Sequence, residues 1–229
     1  MKILVAVPCM DTWPINFGVS LIEMLMFSQK YMDDEIHLCP IANSLVYDAR
    51  NILSLTAIEQ NYDYVLWLDS DMVFNPDTLS CMLQTITISS FAIGDGQSYA
   101  EGAGKYQMLT GVYYMRKSPH TPVLYKTIAE PELKDGQVQK KIETMTDIPD
   151  TLFEVEGCGF GCVLTSVPLL KKVWDKFGPA FTPYPWASED MSFCYRVKQL
   201  DEKILCDPSI YLGHIGTAVF DKTNIRKVE

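Results

Sequence analysis

The sequence predicts an α/β protein, a single domain built on a mixed, mostly parallel central sheet flanked by helices. Three observations carry that prediction. Across residues 1–90, apolar strand patterns alternate with helical patterns in the order β-α-β-α-β-α, which builds a parallel, doubly wound sheet. One of these strands, Tyr64 to Leu68, is apolar at every position, as a strand buried on both faces must be. Further strand and helix patterns fill residues 91–229, and no linker, internal repeat or low-complexity tract separates the two halves.

Each element has a local reason. Residues 2–8 form an apolar strand that stops at Pro8. Phe17, Leu21, Ile22, Met24, Leu25 and Phe27 recur at helical spacing and predict a helix over 16–30, with Asn16 as its cap. Ile36 to Ile41 reads as the second strand. Leu45, Ala49, Ile52, Leu53, Thr56 and Ala57 line one stripe of a helix over 44–60, with Ser44 placed to cap it. After the strand at 64–68, Asn75-Pro76 opens a helix that runs to about Ser89. Strands are then predicted at 91–94 and 109–117, where Tyr113, Tyr114 and Met115 suit a pleated surface. Between them lies a glycine-rich loop, Gly94 to Gly104. Residues 129–151 are charged and proline-flanked and are expected to form an excursion or lid. A strand at 160–165, helices at 167–177 and 189–200, and a strand at 203–211 leading to His214 complete the chain.

Bulk properties narrow the function. A length of 229 residues suits one domain, and 48% apolar against 21% charged residues is enough to fill a core. Twenty-nine acidic against 19 basic residues give a net charge of −10, which disfavours a nucleic-acid backbone or an anionic membrane as the main partner. An acidic protein can still hold a phosphorylated ligand when a metal mediates. The seven cysteines (9, 39, 81, 158, 162, 194 and 206) are odd in number and scattered through apolar segments, and read as reduced, buried thiols of a cytoplasmic protein. Cys158 and Cys162 lack the second pair or histidine that a zinc site needs. The N-terminus reads as a first strand and not as a signal segment, and no apolar run approaches the ~18 residues of a membrane span.

The chemistry concentrates at four places. Asp69 and Asp71 follow the buried strand directly. In an extended segment, side chains at i and i+2 share a face, so both carboxylates are expected to project from the strand's carboxyl end, where open α/β sheets bind ligands. A hard divalent cation carrying a phosphorylated substrate would relieve their mutual repulsion; an acidic strand-to-loop turn with Asp71 in solvent is the plainer alternative. His214, between Gly213 and Ile215-Gly216, is the best imidazole ligand candidate of the three histidines. Glu189 and Asp190 open a helix, where the dipole favours acids on structural grounds alone, and they are also candidates for a general base. Arg50 can reach a phosphate or sugar hydroxyl, or form an ion pair with a nearby acid. Gly157-Cys-Gly-Phe-Gly161 lets backbone pass close to a ligand or a packed neighbour.

In this order the segments resemble glycosyltransferases of the Rossmann-like GT-A fold, family-2-like, with a DxD motif. The resemblance runs from Lys2 to about Gly216. It rests on Val5-Ala-Val-Pro8, Ala49-Arg-Asn51, Tyr64-Val-Leu-Trp-Leu-Asp-Ser-Asp-Met72 with Asn75-Pro-Asp77, Gly157-Cys-Gly-Phe-Gly-Cys-Val-Leu164, Ser188-Glu-Asp-Met-Ser-Phe-Cys-Tyr-Arg196, and Leu205-Cys-Asp-Pro-Ser-Ile210 ending at His214. It implies a nucleotide-sugar donor, UDP-linked, bound across residues 1–90, with the acceptor and catalytic groups in 91–229. Asp69, Asp71 and His214 would hold Mn²⁺ or Mg²⁺, and Asp190, with Glu189 beside it, would be the base of an inverting transfer. Pro8, Arg50, Asp69, Ser70 and Gly159 would contact the donor. The family's uracil-reading acid is replaced here by Pro40-Ile-Ala-Asn-Ser44, so Asp11, Asn43 or a backbone group would take the base-reading place. The acceptor is a glycan, a lipid-linked sugar, a protein or a modified base. Two rival readings are a nucleotidyltransferase, which would need a glycine- and lysine-rich loop that Cys9–Pro14 lacks, and a nucleotide- or carbohydrate-binding module without catalysis.

Overall fold

A computed structural model describes residues 1–87, 90–92, 98–100, 106–134, 137–216 and 219–220. In chain order the elements are β1 (Lys2–Cys9), α1 (Ile15–Tyr31), β2 (Glu35–Ala42), α2 (Val46–Glu59), β3 (Tyr64–Leu68), β4 (Met72–Val73), α3 (Thr78–Thr87), β5 (Ser90–Ala92), β6 (Ser98–Ala100), β7 (Met108–Val112), β8 (Leu124–Lys134), β9 (Gln137–Thr144), β10 (Phe153–Val155), β11 (Gly157–Cys158), β12 (Cys162–Ser166), α4 (Val167–Phe177), α5 (Glu189–Lys198), β13 (Ile204–Tyr211), β14 (Gly213–Ile215) and β15 (Val219–Phe220).

Seven strands form the central sheet in the order β10-β13-β7-β12-β3-β1-β2. β1 is parallel to both β2 and β3, and β7 is parallel to β13. β12 and β10 run against their neighbours. Five strands thus share one direction, and helices cover both faces. Alternation along each strand divides the core in two. Leu4, Ala6, Val65 and Trp67 face the side covered by α2, α4 and α5. Ile3, Val5, Val7, Leu66 and Leu68 face α1 and α3. Val65 to Leu68 are all at 0% exposure, which is why this strand needs no polar residue. Full burial stabilises by about 1.5–3 kcal/mol for each such side chain.

Several local expectations change. α1 starts after Pro14 and α2 after Leu45, neither with a side-chain cap, so Asn16 and Ser44 do not cap them. α4 does gain a cap, because Ser166 Oγ accepts from the Leu169 N–H at 3.2 Å. The predicted strand at 109–117 stops at Val112. Past it, Met115 N–H donates to Thr121 O and Val123 N–H to Tyr113 O, so the chain doubles back and the strand propensity of Tyr113 to Met115 is overridden. The charged segment 129–151 is not a free excursion. Most of it lies in an antiparallel hairpin, β8–β9, where Lys126 meets Glu143 at 3.2 Å and Lys141 meets Glu132. Alternating charges there mark a half-solvated strand pair. Of the glycine-rich loop, only the short β6 lies among the described residues. All seven cysteines are free, four buried and Cys9, Cys39 and Cys81 half-buried. Among the described residues, no helix is long and apolar enough to cross a membrane.

Candidate active site

The carboxyl ends of β1, β2 and β3 open into a cleft of about 570 Å³. β1 lies between β2 and β3 in the sheet, with the connection through α1 on one face and that through α2 on the other, which leaves a crevice above the strand ends. Pro8 and Cys9 come from the end of β1, Ser44 to Val46 from the start of α2, and Asp69, Ser70 and Asp71 from the end of β3. Met10, Thr12, Pro14, Arg50 and Glu189 complete the wall.

Asp69 and Asp71 do not project from an extended strand. β3 ends at Leu68, and Met72 N–H donates back to Asp69 O at 3.2 Å, which makes 69–72 a turn. Asp69 N–H donates to Gly161 O at 3.1 Å, and Ile215 N–H to Asp71 O at 2.7 Å. The two aspartates therefore meet different cations, and neither stands alone in solvent.

Asp69 belongs to a bracket built on the buried Arg50. Arg50, 2% exposed on α2, donates from Nη2 to Asp69 Oδ1 and from Nη1 to Glu189 Oε1, each at 2.6 Å. Its guanidinium lies over Phe160 at 5.1 Å and Phe181 at 5.9 Å. Asn51, next on the helix, accepts from Phe181 N–H at 2.7 Å and fixes that ring. Of the alternatives for Arg50, the structure shows the ion pair, made with Asp69 and Glu189. Burial pushes the Asp69 carboxyl up to about 6; Arg50 opposes the shift and Asp71 adds to it. Burial also raises Glu189, again against Arg50.

Asp71 and His214 meet because of the backbone. β14 pairs with β4, placing His214 opposite Met72, one residue beyond Asp71. His214 Nε2 lies 3.4 Å from Asp71 Oδ2. Its Nδ1 is 2.9 Å from Tyr114 O; a carbonyl only accepts, so Nδ1 carries the proton. The Tyr113 ring meets the imidazole edge-on at 5.5 Å. Nε2 thus faces a carboxylate oxygen. Arg116 Nη1 also reaches Asp71 Oδ2, at 3.0 Å. Burial alone would raise Asp71, but His214 and Arg116 outweigh it and hold the carboxyl below its ordinary range.

A divalent metal fits part of this arrangement. A carboxylate oxygen and an imidazole nitrogen backed by a carbonyl suit a transition ion such as Mn²⁺ better than Mg²⁺, which prefers oxygen ligands, and water and phosphate oxygens would fill the other positions. Asp69, expected as a third ligand, has its Oδ1 on Arg50. Among the described residues, no cluster of three or more His, Cys, Asp or Glu is arranged to hold a metal.

Asp190 Oδ1 accepts from Met191 N–H at 2.7 Å and from Ser188 Oγ, while Oδ2 has no hydrogen bond among the described residues. Of the residues expected to contact a donor, Pro8, Arg50, Asp69 and Ser70 line the cleft, whereas Asp11 and Asn43 are exposed and outside its lining. Asn43 has φ 56°, the left-handed conformation that Asn tolerates in a turn. Gly159 is buried. A Cβ there would stand 2.1 Å from the Tyr113 hydroxyl, and one at Gly157 would stand 2.1 Å from Ile128 Cδ1. These glycines make room for protein, and Gly159 lies outside the lining of the cleft. The sequence reading missed Arg116, Tyr113 and the Tyr114 carbonyl, because they lie in the irregular segment past β7 and meet Asp71 and His214 only in the folded chain.

The chain matches no protein-family model and no curated protein. Among solved structures it is similar to A197 from STIV, with 17% identity, a TM-score of 0.56 and coverage of 100% of this chain and 98% of the other. A glycosyltransferase involved in the glycosylation of the major capsid of PBCV-1 covers 88% of this chain and 77% of its own at 12% identity, with a TM-score of 0.38. Mannose-1-phosphate geranyltransferase from Thermus thermophilus covers 91% and 75% at 10% identity, with a TM-score of 0.44. The similarity to A197 shows a shared fold.

Proposed function

We propose that this protein is a metal-dependent glycosyltransferase that moves a sugar from a nucleotide-sugar donor, with UDP-sugars the first candidates, to an acceptor hydroxyl. The observation that carries the reading is the pairing of Asp71 with His214 at 3.4 Å on the rim of a cleft above the parallel strands. The ordered motifs that resemble GT-A glycosyltransferases support it. The local charge supports it too. Asp69, Asp71, Glu189 and Asp190 contribute four negative charges, and Arg50 and Arg116 contribute two positive ones. A diphosphate would enter such a site only with a cation.

Asp71 and His214 would hold the metal, which supplies Lewis-acid neutralisation of the departing diphosphate. The protein's own part is positional. The cleft walls at Pro8, Ser44–Val46 and Ser70 seat the nucleotide. Arg50 holds Asp69 and Glu189 in one geometry, and so ties the donor turn to the start of α5. Asp190 Oδ2 takes the proton as the acceptor oxygen bonds to the anomeric carbon and the bond to the diphosphate breaks. A well-placed base contributes ~10²–10⁴-fold. Displacement in a single step inverts the anomeric centre.

The test is a panel of nucleotide sugars with and without Mn²⁺, read as nucleoside diphosphate release and as thermal shift. Metal-dependent stabilisation and release by at least one donor is expected. Turnover of a nucleoside triphosphate with a sugar phosphate, and of no nucleotide sugar, would move the protein to nucleotidyl transfer.

A further inference from the structure

One oxygen of Asp71 serves two groups. His214 Nε2 lies 3.4 Å from Oδ2, and Arg116 Nη1 lies 3.0 Å from the same atom. That guanidinium nitrogen also donates to Ile215 O at 3.2 Å, and Ile215 N–H in turn donates to Asp71 O. Arg116 therefore grips both sides of the β4–β14 junction. A divalent ion held between Asp71 Oδ2 and His214 Nε2 would crowd Nη1, and the two positive charges would repel each other. The guanidinium and the ion thus compete for one carboxylate.

Arg116 is anchored at its backbone and free at its tip. Met115 N–H donates to Thr121 O at 2.9 Å, Val123 N–H to Tyr113 O at 3.0 Å, and Tyr114 pairs with Pro122, so the segment that carries Arg116 is held in place. The side chain itself is 48% exposed. An ion pair in that much water is weak, so displacing it changes the affinity of a competing ion by only about two- to fivefold. Once displaced, the guanidinium stays at the rim of the cleft that Asp71 lines. Arg50, the cation within the lining, has both terminal nitrogens committed to Asp69 and Glu189. Arg116 has no such buried commitment, and a planar guanidinium matches two phosphate oxygens at once.

We propose that Arg116 is a displaceable counter-ion, paired with Asp71 until a metal and a nucleoside diphosphate bind together, and then turned onto the diphosphate. The proposal rests on the metal-dependent transfer reading and adds the residue that couples its metal to its donor. A metal that binds alone leaves the guanidinium beside a like charge and without an acceptor. A metal that binds with a diphosphate gives it one. Metal and nucleotide therefore favour each other by more than their direct contact, and the coupling is reciprocal.

The test compares the full-length wild type with Arg116→Gln and Arg116→Lys. Mn²⁺ alone is titrated by electron paramagnetic resonance, and uridine, guanosine and thymidine diphosphates are titrated by calorimetry at saturating Mn²⁺. Arg116→Gln is expected to bind Mn²⁺ alone about two- to fivefold tighter, and the preferred diphosphate about tenfold weaker. Arg116→Lys keeps the charge without the fork, so it should hold Mn²⁺ affinity within about twofold of the wild type and still weaken the diphosphate. A merely structural arginine would not move the two affinities in opposite directions, and circular dichroism confirms that each variant is folded. The proposal is overturned if Arg116→Gln leaves Mn²⁺ affinity unchanged or lowers it, or if that variant binds the diphosphate as tightly as the wild type. Wild-type Mn²⁺ binding that ignores position 116 sinks the counter-ion and leaves metal-dependent transfer standing, whereas a wild type that binds neither Mn²⁺ nor any of the diphosphates sinks both.

Discussion

Arg50→Met tests the bracket most directly. Methionine keeps most of the volume between Phe160 and Phe181 but removes both charged hydrogen bonds, to Asp69 and Glu189, at 2.6 Å each. Removing one partner of a buried ion pair costs about 3–5 kcal/mol, because the remaining charge is left uncompensated. Here two carboxylates are abandoned, yet Asp69 is 34% exposed and water recovers part of the loss, so the lower half of that range is expected near pH 7.5. For a chain of this size, 1 kcal/mol moves Tm by about 2–4 °C, so the drop is on the order of 6–16 °C. The effect must depend on pH in a set direction. Burial pushes the Asp69 carboxyl up to about 6 in the folded protein against about 3.9 unfolded, so its contribution to stability is expected to fall as pH rises between those values. Without Arg50, which pulls both acids down, the window extends above 6 and the penalty grows. The gap between wild type and variant should therefore be small near pH 4 and widest above pH 7. Thermal melts followed by circular dichroism at pH 4.5, 6 and 7.5 measure it. A gap that is the same at all three pH values would show that Arg50 contributes packing and not charge. Adding Asp69→Asn to the variant should recover stability at pH 7.5.

Four further outcomes are expected. Asp71→Ala should remove Mn²⁺ binding, seen by electron paramagnetic resonance, with the fold intact by circular dichroism; unchanged Mn²⁺ affinity would remove Asp71 from the ligand set. Asp190→Asn should lose transfer by at least about 10²-fold while calorimetry still detects the donor, and loss of both would assign Asp190 a structural role. The Asp69 carboxyl, followed by carbon NMR, should titrate near 6 and not near 4; a midpoint in the ordinary range would mean that water reaches it freely. Gly159→Ala should cost about 1–3 kcal/mol in urea unfolding, because the new methyl meets the Tyr113 hydroxyl at 2.1 Å. Tyr113→Phe should restore part of it, and no recovery would point to Val123, at 2.7 Å, as the obstacle.

The order of elements was legible because the chain repeats a local rule. Alternation on β1 and β3 and the three- and four-residue spacing on α1 and α2 are local signals, and the sheet satisfies both faces at once. α4 occupies the predicted residues, 167–177, since a serine cap, a proline in the first turn and Gly178 mark both its ends. The hairpin at 124–144 was not legible, because its pairing depends on partners across a turn and its charges resemble those of a solvated loop.

The aspartates, His214, Glu189 and Asp190 were picked out because residue type and position after a strand or at a helix start are written in the chain itself. Their partners were not. Whether Arg50 bound a ligand or an acid depended on α2 lying against α5 and the end of β3, contacts between residues 19 and 139 positions apart. Arg116 and the Tyr114 carbonyl reach Asp71 and His214 from the irregular segment past β7, which no periodicity reveals. Sequence specified which functional groups this protein has and near which strand ends they lie. Tertiary structure decided which charge neutralises which, because Coulomb energies and hydrogen bonds depend on distances of a few ångströms that only the packed sheet sets.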